Sequence, residues 1–226
     1  MINQKTAILI FANSAQEERK NKPFRRAELL FQELNQQTVA KVQKTGLPYF
    51  LFSEKEQSGT TFGERYTNAI QWVYEQGFEN VITVGNDTPH LKSCQLSKTA
   101  KLLETEKIVL GPSTDGGYYL MGLHKSQFNK NIFLKLPWQT SRLTQSIARL
   151  VAVQRNNIIF LETLQDIDTV VDVRDLLNGF RKITTSLRKI LHTIVSNGVH
   201  FFSVYNFNTS SFQKKSPFNK GSPLSV

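Results

Sequence analysis

Val81-Ile82-Thr83-Val84-Gly85-Asn86-Asp87-Thr88-Pro89 joins a nearly continuous apolar run to a glycine, an acid and a proline. An apolar run with little polar alternation marks a strand covered on both faces, as in parallel sheets flanked by helices. Gly85 then frees the backbone, Asp87 follows beyond the strand, and Pro89 turns the chain. In open α/β sheets ligands bind beyond the carboxyl ends of the strands. This segment therefore predicts both a fold class and a place to look for chemistry.

The neighbouring sequence alternates in the same way. Upstream, Ala7-Ile8-Leu9-Ile10-Phe11-Ala12 reads as a buried first strand, followed by a polar, basic loop. Phe24, Ala27, Phe31, Leu34 and Val42 share a helical face that Gly46 ends, and residues 48–52 form a short aromatic strand. A second helix rests on Phe62, Tyr66, Ala69, Ile70 and Val73 and is closed by Gly77. Downstream, helices are expected over 93–103, 141–151 and 169–180, and strands over 108–110, 116–123 and 158–161. Alternation of this kind predicts a mostly parallel sheet with helices on both faces.

Composition narrows the function classes. A length of 226 residues suits one sizeable core. A lone cysteine, Cys94, excludes an internal disulfide and a multi-cysteine zinc site; within its predicted helix it reads as a buried structural thiol. The net charge of +10 would suggest nucleic acid, but seven of the 28 Lys and Arg lie beyond position 180 with no acid among them. The first 180 residues carry 21 basic against all 18 acidic residues, a net of +3. No nucleic-acid partner is expected. No apolar stretch is long enough to span a membrane, and Glu17-Glu18-Arg19-Lys20 stands where a signal-peptide cleavage site should be. The cytoplasm is the expected compartment.

Three strand ends carry candidate chemistry. Asp87 is placed either to hold a hard cation such as Mg2+ or Mn2+ or to cap the following turn. Leu110-Gly111-Pro112-Ser113-Thr114-Asp115-Gly116-Gly117-Tyr118-Tyr119 contains an ordinary Asp-Gly-Gly hairpin turn. Its hydroxyls and tyrosines also offer the hydrogen bonds and flat faces that a sugar or nucleotide site needs. Asp166-Ile167-Asp168-Thr169 supplies either a helix cap or a further carboxylate for the cation on Asp87. No Gly-x-Ser-x-Gly elbow or Gly-x-x-x-x-Gly-Lys loop is present, and the four histidines show no metal-ligand spacing.

These segments, with Trp138-Gln139-Thr140, resemble a bacterial family of glycosyltransferase-like proteins, the selenium-domain- or radical-SAM-associated transferases, some of them named arsenosugar biosynthesis glycosyltransferases. The likeness spans roughly residues 6–180, and the segment running on to Leu120-Met121-Gly122-Leu123 is its most specific part. It implies a three-layer α/β/α sandwich with a mostly parallel, Rossmann-like sheet, of the nucleotide-diphospho-sugar transferase (GT-A) type. It implies Asp87 and Asp168 as metal ligands for Mg2+ or Mn2+, and Asp115 with Gly116 and Gly117 at the sugar or acceptor pocket. Arg65, in Gly63-Glu64-Arg65, is implied at the phosphate or base, where a guanidinium suits an anion.

The implied activity is transfer from a nucleotide-sugar or NTP donor to a small-molecule acceptor. The cation would neutralise the leaving diphosphate, and Asp115 would orient or deprotonate the acceptor hydroxyl, with Tyr118 in the same loop. A glycosyltransferase leads; a nucleotidyltransferase of the same fold, or a binding module that has lost phosphate chemistry, are the alternatives. The sequence departs from the family after the first strand, where Asn13 to Phe24 lacks the usual glycines. Phosphate is then left to side chains, with Arg19 and Lys22 foremost and Lys20, Arg25 and Arg26 nearby.

Residues 1–180 are expected to form the transferase domain, 181–208 a basic helix and strand extension, and 209–226 a disordered tail. Leu187, Ile190, Leu191, Ile194 and Val195 share a helical face beside Arg188 and Lys189. That helix suits an anionic membrane surface or a partner, or else packs on its own domain.

Overall fold

The computed structural model describes residues 5–22, 24–105, 108–153 and 158–196. Six strands form one sheet: β1 (Thr6–Phe11), β2 (Tyr49–Phe52), β3 (Asn80–Val84), β4 (Ile108–Pro112), β5 (Tyr118–His124) and β6 (Ile158–Phe160). Their spatial order is β2-β1-β3-β5-β4-β6. β5 runs antiparallel to both β3 and β4, and every other pairing is parallel. The five residues between β4 and β5 are too few for a crossover, so the chain can return only as a hairpin. The parallel connections pass instead through helices.

The helices are α1 (Ala15–Asn21), α2 (Ala27–Gln43), α3 (Phe62–Glu75), α4 (Ser93–Leu102), α5 (Lys130–Phe133), α6 (Leu143–Val153), α7 (Val170–Asn178) and α8 (Thr185–Ser196). Successive strand residues point to opposite faces of the sheet. Ala7 and Leu9 thus enter a core layer with Ile70 and Val73 of α3 and Ile147 of α6. Ile8 and Ile10 enter the opposite layer with Val42 of α2 and Leu96 of α4. All five residues of β3 are buried, because it sits mid-sheet under both layers. Each fully buried Ile or Leu adds about 2 kcal/mol of burial free energy.

α1 falls within the stretch expected to be a loop. Ser14 starts it by accepting the Glu17 amide at 3.2 Å, a single hydrogen bond that offsets the weak helix preference of a polar run. The apolar face of α8 packs on the chain's own helices: Leu187, Leu191 and Ile194 pack with Leu30 of α2 and Leu176 of α7, leaving Arg188 and Lys189 outside. Cys94 corrects the expectation of a buried thiol. It lies exposed on α4, whose inner face is taken by Gln95, Leu96 and Thr99. The expected strand near 199–207 and the tail 209–226 lie outside the described residues. No helix among the described residues is long and apolar enough to cross a membrane.

Candidate functional site

The carboxyl ends of β1, β3 and β4 open onto one cleft of about 670 Å³. Backbone hydrogen bonds draw its three acidic segments together. The Ile167 amide donates to the Asp87 carbonyl at 3.0 Å, and the Thr114 amide donates to the Leu164 carbonyl at 3.0 Å. Residues 80 positions apart in sequence thereby share one floor. The Thr88 hydroxyl donates to Asp166 Oδ1 at 2.5 Å and lies 3.4 Å from Asp87 Oδ1.

Burial raises the Asp87 carboxyl above its usual range; Lys22 opposes the rise and Asp168 adds to it. Burial and the Asp87 carboxylate push Asp166 up to about 8. Two facing carboxylates cannot both ionise cheaply in a desolvated site, and the strain is relieved by a proton or a cation. The donor atoms are hard oxygens, so the floor fits Mg2+ or Mn2+. Among the described residues no three acidic, histidine or cysteine groups gather in a ligand arrangement. Mg2+ does not require one, since it commonly takes one or two carboxylates and fills its shell with water and substrate phosphate.

Asp115 lines the cleft from the β4–β5 hairpin. Its Oδ1 accepts from the Ser113 hydroxyl and from the Gly117 amide at 2.9 Å, which leaves Oδ2 for a ligand. Gly117 and Tyr118 also line the cleft, whereas Gly116 does not. Gly116 instead holds the hairpin against the start of α6. It has a φ of 92°, and its carbonyl accepts the Thr144 amide at 3.1 Å.

Lys22 and Arg65 face the cleft as well. Lys22 Nζ donates to Asp168 Oδ1 at 2.6 Å, and Arg65 Nε is buried without a hydrogen-bond partner. Arg19 lies elsewhere, paired with Glu28 at 3.2 Å beside a second depression that also includes Arg25 and Arg26.

Glu18, and Phe11, Phe62 and Tyr66 as parts of a cleft wall, had no sequence signal strong enough to single them out. Glu18, 7% exposed, joins the acidic floor, and burial raises its carboxyl. Its relation to Lys22, four residues on, becomes visible only once α1 is recognised as a helix. The opposite wall is aromatic, built from Phe11, Phe62, Tyr66, Tyr118 and Trp138. Trp138 lies 5.7 Å from Phe62 and 5.0 Å from Tyr66 between ring centroids, and its indole N–H donates to the Phe133 carbonyl at 2.7 Å. Burial raises the Tyr118 hydroxyl well above its usual pKa.

A mostly parallel sheet with one antiparallel strand wedged into it and helices on its faces is a Rossmann-like fold of the GT-A type. The chain belongs to the family described as "Uncharacterized protein conserved in bacteria (DUF2064)", which matches residues 19–140. No curated protein matches it. Among solved structures it is similar to a "putative nucleotide-diphospho-sugar transferase" from Desulfovibrio desulfuricans G20, with 20% identity and a TM-score of 0.71 over 85% of this chain and 96% of that one. Looser likenesses are to Rv0371c of Mycobacterium tuberculosis H37Rv in complex with manganese (14% identity, TM-score 0.44, 77% and 98% covered) and to a cytidylyltransferase from Leptospira borgpetersenii (16%, 0.42, 87% and 96%).

Proposed function

We propose that this protein is a metal-dependent transferase that moves a glycosyl group from a nucleotide-activated donor to a small-molecule acceptor. The observation that carries this reading is the convergence of Asp87, Asp166 and Asp168 at the strand ends, opposite an aromatic wall and within one cleft. Asp87 and Asp168 would hold Mg2+ or Mn2+, which when bound supplies Lewis-acid charge for the departing diphosphate. Arg65, unpartnered at Nε, would take phosphate oxygens through its guanidinium. Lys22, at the C-terminus of α1, would add a second positive charge. Asp115, steadied through Oδ1, would present Oδ2 to the acceptor hydroxyl and take its proton. Gly117 would let the ligand approach the backbone closely, and Tyr118 and Trp138 would offer flat faces to a sugar ring. The segment from Leu110 to Leu123 supports the selenium- or arsenosugar-associated subtype within this class.

A second reading, a binding module without transfer chemistry, is favoured by one contact. The Ser14 amide and hydroxyl at the start of α1 both donate to Glu54, each at 2.8 Å. The backbone amide and hydroxyl just beyond β1 are thus taken by the protein's own carboxylate. Melting curves with UDP-, GDP- and CDP-sugars and with NTPs, each with and without Mn2+, test the main proposal. It expects stabilisation that requires Mn2+ and is lost in Asp87→Ala. No response to any nucleotide would overturn it, and binding without turnover would leave the second reading.

A further inference from the structure

The acidic floor of the cleft already contains a cation of the protein's own. Lys22 caps the C-terminus of α1 and is only 13% exposed in its side chain. Its Nζ donates to Asp168 Oδ1 at 2.6 Å and to the Ile167 carbonyl at 3.3 Å, and it stands 5.2 Å from the centroid of the Phe31 ring. Burial works against this ammonium, but Asp168, Asp87 and Glu18 outweigh it and hold the charge in place. An exposed ion pair is held loosely and adds little to stability. This one is confined by a carboxylate, a carbonyl and an aromatic face at once, and it reaches the segment after β6 from a residue 146 positions earlier.

Asp168 is half-exposed, at 52%, so a solvated ion can approach it. A divalent ion on Asp168 needs the carboxylate oxygens at about 2.1 Å. An ammonium already 2.6 Å from one of them would stand within about 5 Å of an ion on that oxygen. At that separation the ammonium and a divalent ion repel each other, the more so where the cleft excludes water. Both cations cannot occupy the same carboxylate at low cost.

We propose that Lys22 is a tethered counter-cation that competes with the divalent ion for Asp168. In the metal-free protein the ammonium neutralises the floor. When the ion binds, Lys22 leaves Asp168 and its charge becomes available to an anionic ligand in the cleft, so metal and anion binding are coupled through one side chain. The inference rests on the reading that Asp87 and Asp168 hold the ion.

Mn2+ binding to the full chain, followed by electron paramagnetic resonance and calorimetry, tests it. Lys22→Gln and Lys22→Met are expected to bind Mn2+ about fivefold or more tightly than the wild type. Lys22→Arg keeps the charge and is expected to stay near wild type. Lys20→Gln, on the same helix but 71% exposed and paired with Glu17, is expected to leave Mn2+ binding unchanged. Unchanged or weaker Mn2+ binding in Lys22→Gln and Lys22→Met, or an equal gain in Lys20→Gln, would overturn local competition. A direct readout in the wild type covers the case in which the Lys22 variants fail to fold. The 15N-lysine Nζ resonance of Lys22 should shift as diamagnetic Mg2+ saturates the protein, and an unmoved resonance overturns the proposal. Absence of Mn2+ binding in every variant would overturn this inference and the metal reading together, whereas binding indifferent to Lys22 overturns this inference alone.

Discussion

Gly63 lies flush against the indole of Trp138: a methyl group on its Cα would stand 2.5 Å from Cδ1 and 2.8 Å from Nε1. The first turn of α3 and the segment before α6 touch there without a side chain between them. Gly63→Ala is expected to push Trp138 outward and cost about 1–3 kcal/mol, the range for overpacking. The chain has two tryptophans, so in a Trp72→Phe background the emission of Trp138 reports the change directly. A red shift with a lower melting temperature is the expected result.

Gly116 should be less tolerant still. A Cβ there would meet the Ser141 carbonyl oxygen at 2.1 Å, on a backbone already at a φ of 92°. Gly77 has a similar φ of 93° with nothing near its missing Cβ. The left-handed conformation alone costs an alanine about 1–2 kcal/mol. Gly77→Ala is therefore expected to lose about that much, and Gly116→Ala clearly more, when the two are compared by urea denaturation.

Glu64 closes a capping box at the start of α3. Its carboxylate accepts from the Thr60 hydroxyl and amide and from the Thr61 amide, and these bonds hold its pKa down at about 2. A depressed acid stabilises the fold above its unfolded pKa and loses that contribution as pH falls through the folded value. Between pH 4.5 and 2 the wild type is expected to lose more melting temperature than Glu64→Gln. At pH 7, Thr61→Ala is expected to cost about 1 kcal/mol, as for other N-caps.

Lys41 works in the opposite direction. Burial brings its ammonium down to about 8, while Nζ donates to the Pro89 carbonyl at 3.0 Å, just past Asp87. A depressed base penalises the fold below its folded pKa, and the penalty lifts as pH rises from there to the unfolded value near 10.5. The stability difference between wild type and Lys41→Met should shift in favour of the wild type between pH 8 and 10.5. A difference that is flat with pH would refute the assignment.

Much of the site could be read from single segments because each signal is local. Val81 to Val84 announces a doubly covered strand and Pro89 its exit. Asp115-Gly116-Gly117 announces the hairpin that the structure contains. The helix cap expected somewhere in Asp166 to Thr169 is Thr169, its hydroxyl accepting the Asp172 amide. Other features lacked a local signal. Nothing in Ala15 to Asn21 outweighs its polarity except the Ser14 cap, so α1 read as loop. Cys94 follows its helix's phase rather than its residue type, and that phase is set by Leu96 and Thr99 packing inward.

The sequence by itself determined the layered α/β class and the presence of acids at three strand ends, since periodicity and turn residues act over a few positions. Only the tertiary structure decided which acids meet. Asp166 faces Asp87 through Thr88, Asp168 turns to Lys22, and Arg19 goes to Glu28 instead of the cleft. Five aromatic residues from distant segments likewise become one wall only when the sheet closes. Such choices depend on competing charges and on packing between segments up to 146 residues apart, where sequence spacing carries no distance.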